Sequence, residues 1–438
     1  MWDAAVEAGD PATEADAIAR QLPVQLAHVQ ATSPFYRRLW AGVGVDSANV
    51  RTAGDLARLP FTEKDDLRRS QGAHPPLGET QGVPLGEISR IQCTGGTTGV
   101  PMRIAFTRED CAWLDEVAAR CFHCAGGRPG DLVLECMNYS LYVGGVTDHL
   151  GFEHAGLCVL PYGVGQSVRL LELVAAMQTP WLLYSTPAYA LRLAQVAREQ
   201  GLDPRALRLG KGIFSGEGGL QVPGFRELIE ETWGCTAQDV YGLSETGCVA
   251  AECEHRTGLH LLTRGHLATE LIDPVSGEVV PFADGAVGEL VFTNLSRRAS
   301  YLVRYRSHDL VRISRTPCPC GRTGPRFEMI GRSDDMFIVR GVNVFPLGVQ
   351  DVVYGLRPAV TGEFRIVLEH APPIDYEPRI IVERGTDGAD DLAERVALAI
   401  QLRLGFTPTV EIVAPEALPR AEQKSQRLFR AYLGEVAE

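Results

Sequence analysis

What most limits the folds open to this chain is a series of short apolar runs between residues 131 and 240. They are Asp131–Met137, Leu157–Leu160, Trp181–Tyr184, Gly212–Phe214 and Ala237–Val240, and helical patterns lie between them. Such alternation predicts an α/β fold with a largely parallel sheet, because each buried strand needs a crossover to reach the next. Upstream, residues 13 to 41 read as mostly helical, with breaks at Pro23 and Pro34. Ile18, Leu22, Val24, Leu26, Val29 and Tyr36 are the expected apolar contacts there. Phe61-Thr62-Glu63-Lys64 reads as a helix start with Thr62 as its cap, and Thr107 to Cys124 as a further helix. From Gly258 to Ile313, closely spaced β-rich runs broken by Gly and Pro predict an antiparallel β subdomain. After Gly331 the pattern resets to strand, turn, helix, strand, helix, strand, which predicts a small α+β domain of about 100 residues. The expected division is a large domain over residues 1–333 and a small one over 334–438.

Charge and cysteine usage narrow the partners. Against 42 Lys and Arg stand 55 Asp and Glu, a net charge of −13. Long-range repulsion then disfavours nucleic acid and anionic membrane, while a local pocket can still take an anionic small ligand. Eleven cysteines, an odd number spread along the chain, suit reduced thiols in a cytoplasm. The acidic first residues, Met1 to Glu14, lack the basic and apolar regions of a secretion signal, so a cytoplasmic protein is expected. The uncharged stretch Leu173–Leu191 contains Pro180 and Pro187 and reads as a buried strand with turns, not a membrane span.

Cys93-Thr94-Gly95-Gly96-Thr97-Thr98-Gly99-Val100-Pro101 holds three glycines and three threonines in nine residues. Glycines let backbone N–H groups approach an anion and hydroxyls add donors without bulk, which suits a polyphosphate. The same composition also suits a surface turn, and no Lys-Ser/Thr pair follows the last glycine as a Walker loop requires.

In this loop the chain resembles the adenylate-forming enzymes, specifically their phenylacetate–CoA ligase branch. Further segments follow in the family's order: Pro34-Phe35-Tyr36-Arg37, Leu59 to Leu67 (LPFTEKDDL), Tyr241-Gly242-Leu243-Ser244-Glu245, and Arg304 to Leu310 (RYRSHDL). Then come Gly331 to Met336 (GRSDDM), Arg340 to Pro346 (RGVNVFP), and Leu418-Pro419-Arg420 with Lys424 and Arg427. The resemblance spans about residues 20–430 and implies a large adenylation domain plus a small mobile C-terminal domain. It implies that ATP and a carboxylic acid give an acyl-adenylate and pyrophosphate, and that a thiol, usually of CoA, then displaces AMP.

The resemblance also assigns roles. Thr94, Gly95, Gly96, Thr97, Thr98 and Gly99 would hold the phosphates, and Ser215-Gly216-Glu217 would border the adenine. Tyr241, beside Gly242, would stack on adenine; Ser244 would bond near the α-phosphate; Glu245 would hold Mg²⁺ through a hard carboxylate oxygen. Asp309 would take both ribose hydroxyls, Arg332 would contact ribose or phosphate, and Asp334 would be the hinge. Lys424 would neutralise charge as the pentavalent phosphorus forms. The chain departs from the family at Val100, where the loop usually has Lys, at Gln423, usually Gly, and at His308, usually a basic or small residue. One cation near the pyrophosphate is thereby missing.

Asn138 to Val146 resembles the family's aryl pocket, with Tyr139, Tyr142, Gly144 and Gly145 leaving a flat slot. Asp148 would suit an amino or hydroxyl substituent on the ligand; equally, Asp148 and His149 could pair structurally at a helix start. Cys253, His260, Cys318 and Cys320 form a candidate structural Zn²⁺ site, with His255 as the substitute for His260. Cys121-Phe122-His123-Cys124 has metal-like spacing too, but its helical pattern reads as core. The expected co-substrates are an aromatic acid, ATP with Mg²⁺, and CoA or another acceptor, and a homodimer is compatible with the resemblance. Two other readings are a diazotase-type enzyme that activates nitrite for an aminoaryl acid, and a non-catalytic AMP-binding protein.

Overall fold

The computed structural model describes residues 1–94, 100–218, 220–419 and 426–437. It opens with α1 (Ala4–Glu7), α2 (Pro11–Thr32), α3 (Pro34–Gly42) and α4 (Lys64–Ala73), followed by the antiparallel pair β1 (Ile88–Cys93) and β2 (Arg103–Thr107). The α/β half then runs α5 (Arg108–Cys124), β3 (Leu132–Glu135), α6 (Val143–His154), β4 (Cys158–Pro161), α7 (Ser167–Met177), β5 (Trp181–Ser185), α8 (Pro187–Glu199), β6 (Leu209–Phe214), α9 (Phe225–Trp233) and β7 (Thr236–Leu243). The strands β4, β3, β5, β6 and β7 are parallel neighbours in that order. Strand β3 is buried on both faces, since its successive residues Val133 and Leu134 belong to separate cores on opposite sides of the sheet, whereas the edge strand β4 is partly exposed.

The β-rich section is antiparallel, as expected, with a core that includes Leu271, Leu290, Phe292 and Val311, and it is joined edge to edge with the parallel strands. Strands β8 (Gly247–Glu252), β9 (Leu259–Leu261), β10 (Leu267–Ile272), β11 (Val279–Val280), β12 (Val287–Asn294), β13 (Tyr305–Ser314) and β14 (Arg326–Arg332) continue the same sheet. The order is β11-β10-β12-β13-β14-β9-β8-β7-β6-β5-β3-β4 across twelve strands. The physical reason is β7, which pairs in parallel with β6 on one edge and antiparallel with β8 on the other. A tight hairpin turns the chain back at that point instead of a crossover helix.

After β14 come the hairpin β15 (Phe337–Val339) and β16 (Val342–Val344), then α10 (Pro346–Tyr354), β17 (Val360–Leu368), β18 (Arg379–Arg384), α11 (Leu392–Leu404), β19 (Thr409–Val413) and β20 (Leu428–Arg430). The last four strands form a sheet of their own, β19-β18-β17-β20, with a core that includes Val349, Phe364, Ile380, Val396 and Ile400.

Three local expectations fail at the N-terminus. Helix α2 continues through Pro23, although proline removes a hydrogen bond and crowds the preceding turn. Ile18, Leu22, Leu26 and Val29 lie on one stripe and are buried against Tyr36, Trp40 and Tyr301, and that burial outweighs the local penalty. Val24 lies off the stripe and is 64% exposed, so it is not a core contact. Pro34 does mark a boundary, since Ser33 caps α3. Thr62 is not the cap of α4; Glu63 is, through a capping box with Asp66. Thr62 is buried and its hydroxyl donates to the Val303 carbonyl (2.8 Å). Among the described residues, no helix is long and apolar enough to cross a membrane.

Candidate active site

The C-terminal ends of parallel strands collect loops that face one crevice, the usual ligand position in open α/β sheets. Three of the expected segments lie there: the residues after β3, after β6 and after β7. The expected phosphate loop lies between β1 and β2 in the sequence. Its Gly95, Gly96, Thr97, Thr98 and Gly99 lie outside the described residues. Thr94 at its entrance is buried, its amide donates to the Met102 carbonyl (3.0 Å), and its hydroxyl has no partner among the described residues. Val100 at its exit is 73% exposed. The Cys93 amide donates to the Leu141 carbonyl (2.7 Å), which ties this loop to the segment carrying Tyr139 and Tyr142.

Glu245 sits in the turn between β7 and β8 and is buried. Its Oε1 accepts the Tyr305 hydroxyl (2.9 Å), and Lys64 Nζ lies 3.4 Å from the same atom. Burial and the Glu245 charge hold the Tyr305 pKa far above its usual range, so Tyr305 stays a neutral donor. The Glu245 carbonyl accepts from Arg297 Nη1 (2.6 Å). Arg297 is fully buried over the Phe106 ring, and burial pulls its pKa down to about 10. A negative oxygen is thus fixed at the crevice with one cation beside it. Lys64, Tyr305 and Arg297 escape a sequence reading, because nothing in local pattern says that positions 52 to 181 residues away converge on position 245.

Asp309 on β13 collects Tyr241 and Arg332. Its Oδ2 accepts the Tyr241 hydroxyl (2.6 Å) and its Oδ1 accepts Arg332 Nη1 (2.9 Å). Arg332 also forks onto Asp334 (2.9 and 2.8 Å), and Arg430 from β20 donates to the Asp334 carbonyl (2.8 Å). The expected ribose acceptor and hinge are therefore joined by one guanidinium. Ser244 is half-buried beside Gly242. Ser215 follows β6, and Gly216 has φ +90°, a left-handed conformation that glycine tolerates. Glu217 spends one oxygen on the Ala188 amide (2.7 Å) at the start of α8. Lys424, with Gln423, lies outside the described residues.

In the pocket segment, Tyr142 precedes α6 as its cap residue. Gly145 is required by close approach: a Cβ there would meet the Asn138 carbonyl at 2.6 Å. Tyr139 bonds His149 Nδ1 (2.8 Å), while Asp148 accepts from Tyr184 (2.5 Å) and Cys248 (3.4 Å). Asp148 and His149 therefore do not pair with each other; successive positions on a helix face different neighbours.

A second cluster lies at the far end of β8. Cys253, His260, Cys318 and Cys320 place their ligand atoms within 4.8 Å of one another. Cys253 Sγ is 3.6 Å from Cys318 Sγ, and Cys320 Sγ is 3.5 Å from His260 Nε2. Three sulfurs and one nitrogen at these separations fit tetrahedral Zn²⁺. Burial, aided by Arg322 and Arg326, pulls the His260 pKa down to about 3, which keeps the imidazole in its ligating neutral form. His255 is exposed and stands outside the cluster. Cys121 and Cys124 are core residues of α5.

With this geometry in hand, the comparisons are specific. Residues 19–301 match the model of the AMP-binding enzyme family, and residues 341–431 that of the AMP-binding enzyme C-terminal domain. A phenylacetate–coenzyme A ligase of Pseudomonas putida is 40% identical over 413 residues, covering 92% of this chain and 91% of that one. Its counterpart in Thermus thermophilus is 36% identical over 419 residues, covering 91% and 92%. A 2-hydroxyisobutyryl-CoA ligase in its postadenylation state superposes with a TM-score of 0.90 at 32% identity, covering 97% of this chain and 91% of that one. The same ligase in its thioesterification state scores 0.72 at the same coverage. Ordered motifs, shared fold and near full-length identity lead to one conclusion: the chain belongs to the AMP-binding enzyme family, in its phenylacetate–CoA ligase branch.

Proposed function

We propose that this protein activates an aromatic carboxylic acid with ATP, forming an acyl-adenylate and pyrophosphate, and then transfers the acyl group to the thiol of CoA. The observation that carries this reading is the convergence at the strand ends, where buried Glu245 faces Lys64 and Tyr305 while Tyr241 and Arg332 meet on Asp309. The barrier lies in bringing anionic phosphate and carboxylate together, so positioned charge is what such a site must supply. Glu245 would hold Mg²⁺, which neutralises phosphate charge when bound. Asp309 would orient the ribose, the Thr94–Gly99 loop would hold the phosphates, and Lys424 would reach the α-phosphate. Tyr139, Tyr142, Gly144 and Gly145 would frame the aryl ring. Asp334 would be the hinge, a role supported by the two superposition scores: the same partner fits well in one state and poorly in the other. Cys253, His260, Cys318 and Cys320 would bind one structural Zn²⁺.

The test is product identity. With an aryl acid and Mg²⁺ present, ATP is expected to yield AMP and pyrophosphate, and added CoA is expected to yield a thioester. ADP as the product would remove the adenylation reading. A nitrite arm with aminoaryl acids separates thioester formation from diazotisation.

Lys64 extends the proposal. With Val100 in the loop, Lys64 is the cation paired with Glu245 among the described residues. Lys64→Ala is expected to raise the KM for ATP roughly fivefold to tenfold, about 1 kcal/mol for a charge-assisted contact one-third open to solvent. Steady-state pyrophosphate release against ATP concentration measures it. An unchanged KM would mean that Lys64 only steadies Glu245.

A further inference from the structure

Glu135 is the least comfortable buried group near the acid pocket. It ends β3 and is 0% exposed, and among the described residues neither carboxylate oxygen has a well-formed hydrogen bond, although the Met137 amide lies toward it. Alternation along the strand puts it on the face of Val133, toward α6, and away from Leu134 and Cys136. Burial raises its pKa well above the usual carboxylate range, and the charge of nearby Asp148 raises it further. Asp148 projects from α6 into the same layer and is also buried. The Tyr184 hydroxyl and the Cys248 thiol donate to it. A carboxyl without well-formed partners in a core is destabilising, so such a group calls for an explanation.

The space beside these acids is kept open by glycines and filled by one adaptable side chain. Gly144 lies one turn before Asp148, and a Cβ there would sit 3.2 Å from Met137 Cε and 3.6 Å from Asp148 Oδ2. A Cβ on Gly216, at the end of β6, would sit 3.5 Å from the same Met137 Cε. Met137 therefore occupies the slot between the two glycines, and its unbranched thioether can swing aside at little cost. Moving it opens the floor toward Asp148 and the end of β3.

We propose that Glu135 and Asp148 form the receiving end of the acid-binding slot, and that the acid activated here carries a primary amino group on its ring, away from the carboxyl. Two N–H donors on one nitrogen match two buried carboxyl groups; Asp148 already accepts from Tyr184 and Cys248, so an apolar ring end would leave Glu135 unanswered. A hydroxyl shares the donor chemistry but offers a single hydrogen. This inference rests on the adenylation reading above.

The test is acid-dependent ATP–pyrophosphate exchange by the full chain with matched series: benzoate, phenylacetate and cinnamate, each unsubstituted and with ring amino, hydroxyl or methyl groups. The amino member of the best series is expected to exceed its unsubstituted and methyl counterparts by on the order of 10²-fold in kcat/KM, because a site built for a donor rejects analogues lacking it. Glu135→Leu is expected to reduce that ratio to within about threefold, by weakening the amino acid and improving the methyl one. Glu135→Gln, which keeps an acceptor, should retain part of it. The ratio separates recognition from folding, since a purely structural Glu135 would lower all acids alike. Should Glu135→Leu fail to fold, the wild-type series and Glu135→Gln decide. Wild-type preference for the unsubstituted or methyl acid, or an undiminished amino preference in folded Glu135→Leu, overturns the proposal while leaving adenylation intact. Equal use of the hydroxyl acid overturns the amino assignment. Exchange with no acid at all removes the adenylation reading, and this inference with it.

Discussion

Replacing Lys424 with Ala is expected to lower the adenylation rate by ~10²–10³-fold while leaving ATP binding nearly intact, the size of effect seen when one preorganised electrostatic donor is removed. The nucleotide groups proposed above, Tyr241, Glu245 and Asp309, are held by the large sheet and by one another, so most ground-state contacts survive the change. Lys424 belongs to the C-terminal segment that is proposed to reach the α-phosphate. Its charge would act where negative charge grows in the transition state, so the loss should fall on kcat more than on KM. If Val100 stands where the family loop has its cation, as the resemblance implies, Lys64 beside Glu245 does not replace it in the loop. That leaves Lys424 a larger share of the neutralisation and pushes the loss toward the upper end. Pyrophosphate release measured for the first half-reaction alone is the readout. More than about a third of the wild-type rate in the variant would move the chemistry to another residue.

Metal removal is expected to be the largest stability effect. Protein made with zinc available should carry one Zn²⁺ per chain, and the Cys318→Ser, Cys320→Ser double variant should carry none. Four protein ligands would close the coordination sphere, so binding free energy becomes folding free energy. The cluster joins the end of β8, strand β9 and the loop between β13 and β14, segments also linked by short ladders such as Arg326 with His260 and by Arg326 bonds to Thr257 and Thr316. Without the metal, three thiols and a buried imidazole are left facing one another. Losing even ~3 kcal/mol there should lower the first thermal transition by roughly 5–10 °C. Metal analysis and thermal unfolding with and without chelator check this. Equal zinc in the double variant would refute the ligand set, and no zinc in the wild type would refute the site.

The sequence by itself determined the kind of structure in each segment. The apolar runs at 132–135, 158–161, 181–185 and 209–214 are strands because a buried parallel strand needs a short continuous apolar run, and that requirement is local. Motif order determined the family, and ligand-type residues at Cys253, His260, Cys318 and Cys320 determined a metal candidate. Tertiary structure alone decided what those local signals leave open. It kept α2 straight through Pro23 by burying the stripe of Ile18, Leu22, Leu26 and Val29. It selected His260 over His255, since only His260 lies on a strand paired with β14, next to the cysteine loop. It joined the β-rich section to the parallel sheet through the two edges of β7. It also turned Glu135, one acid in an apolar run, toward Asp148 instead of solvent. Strand and helix periods are written in neighbouring residues, but contacts across tens to hundreds of positions depend on how whole elements bury their faces against each other.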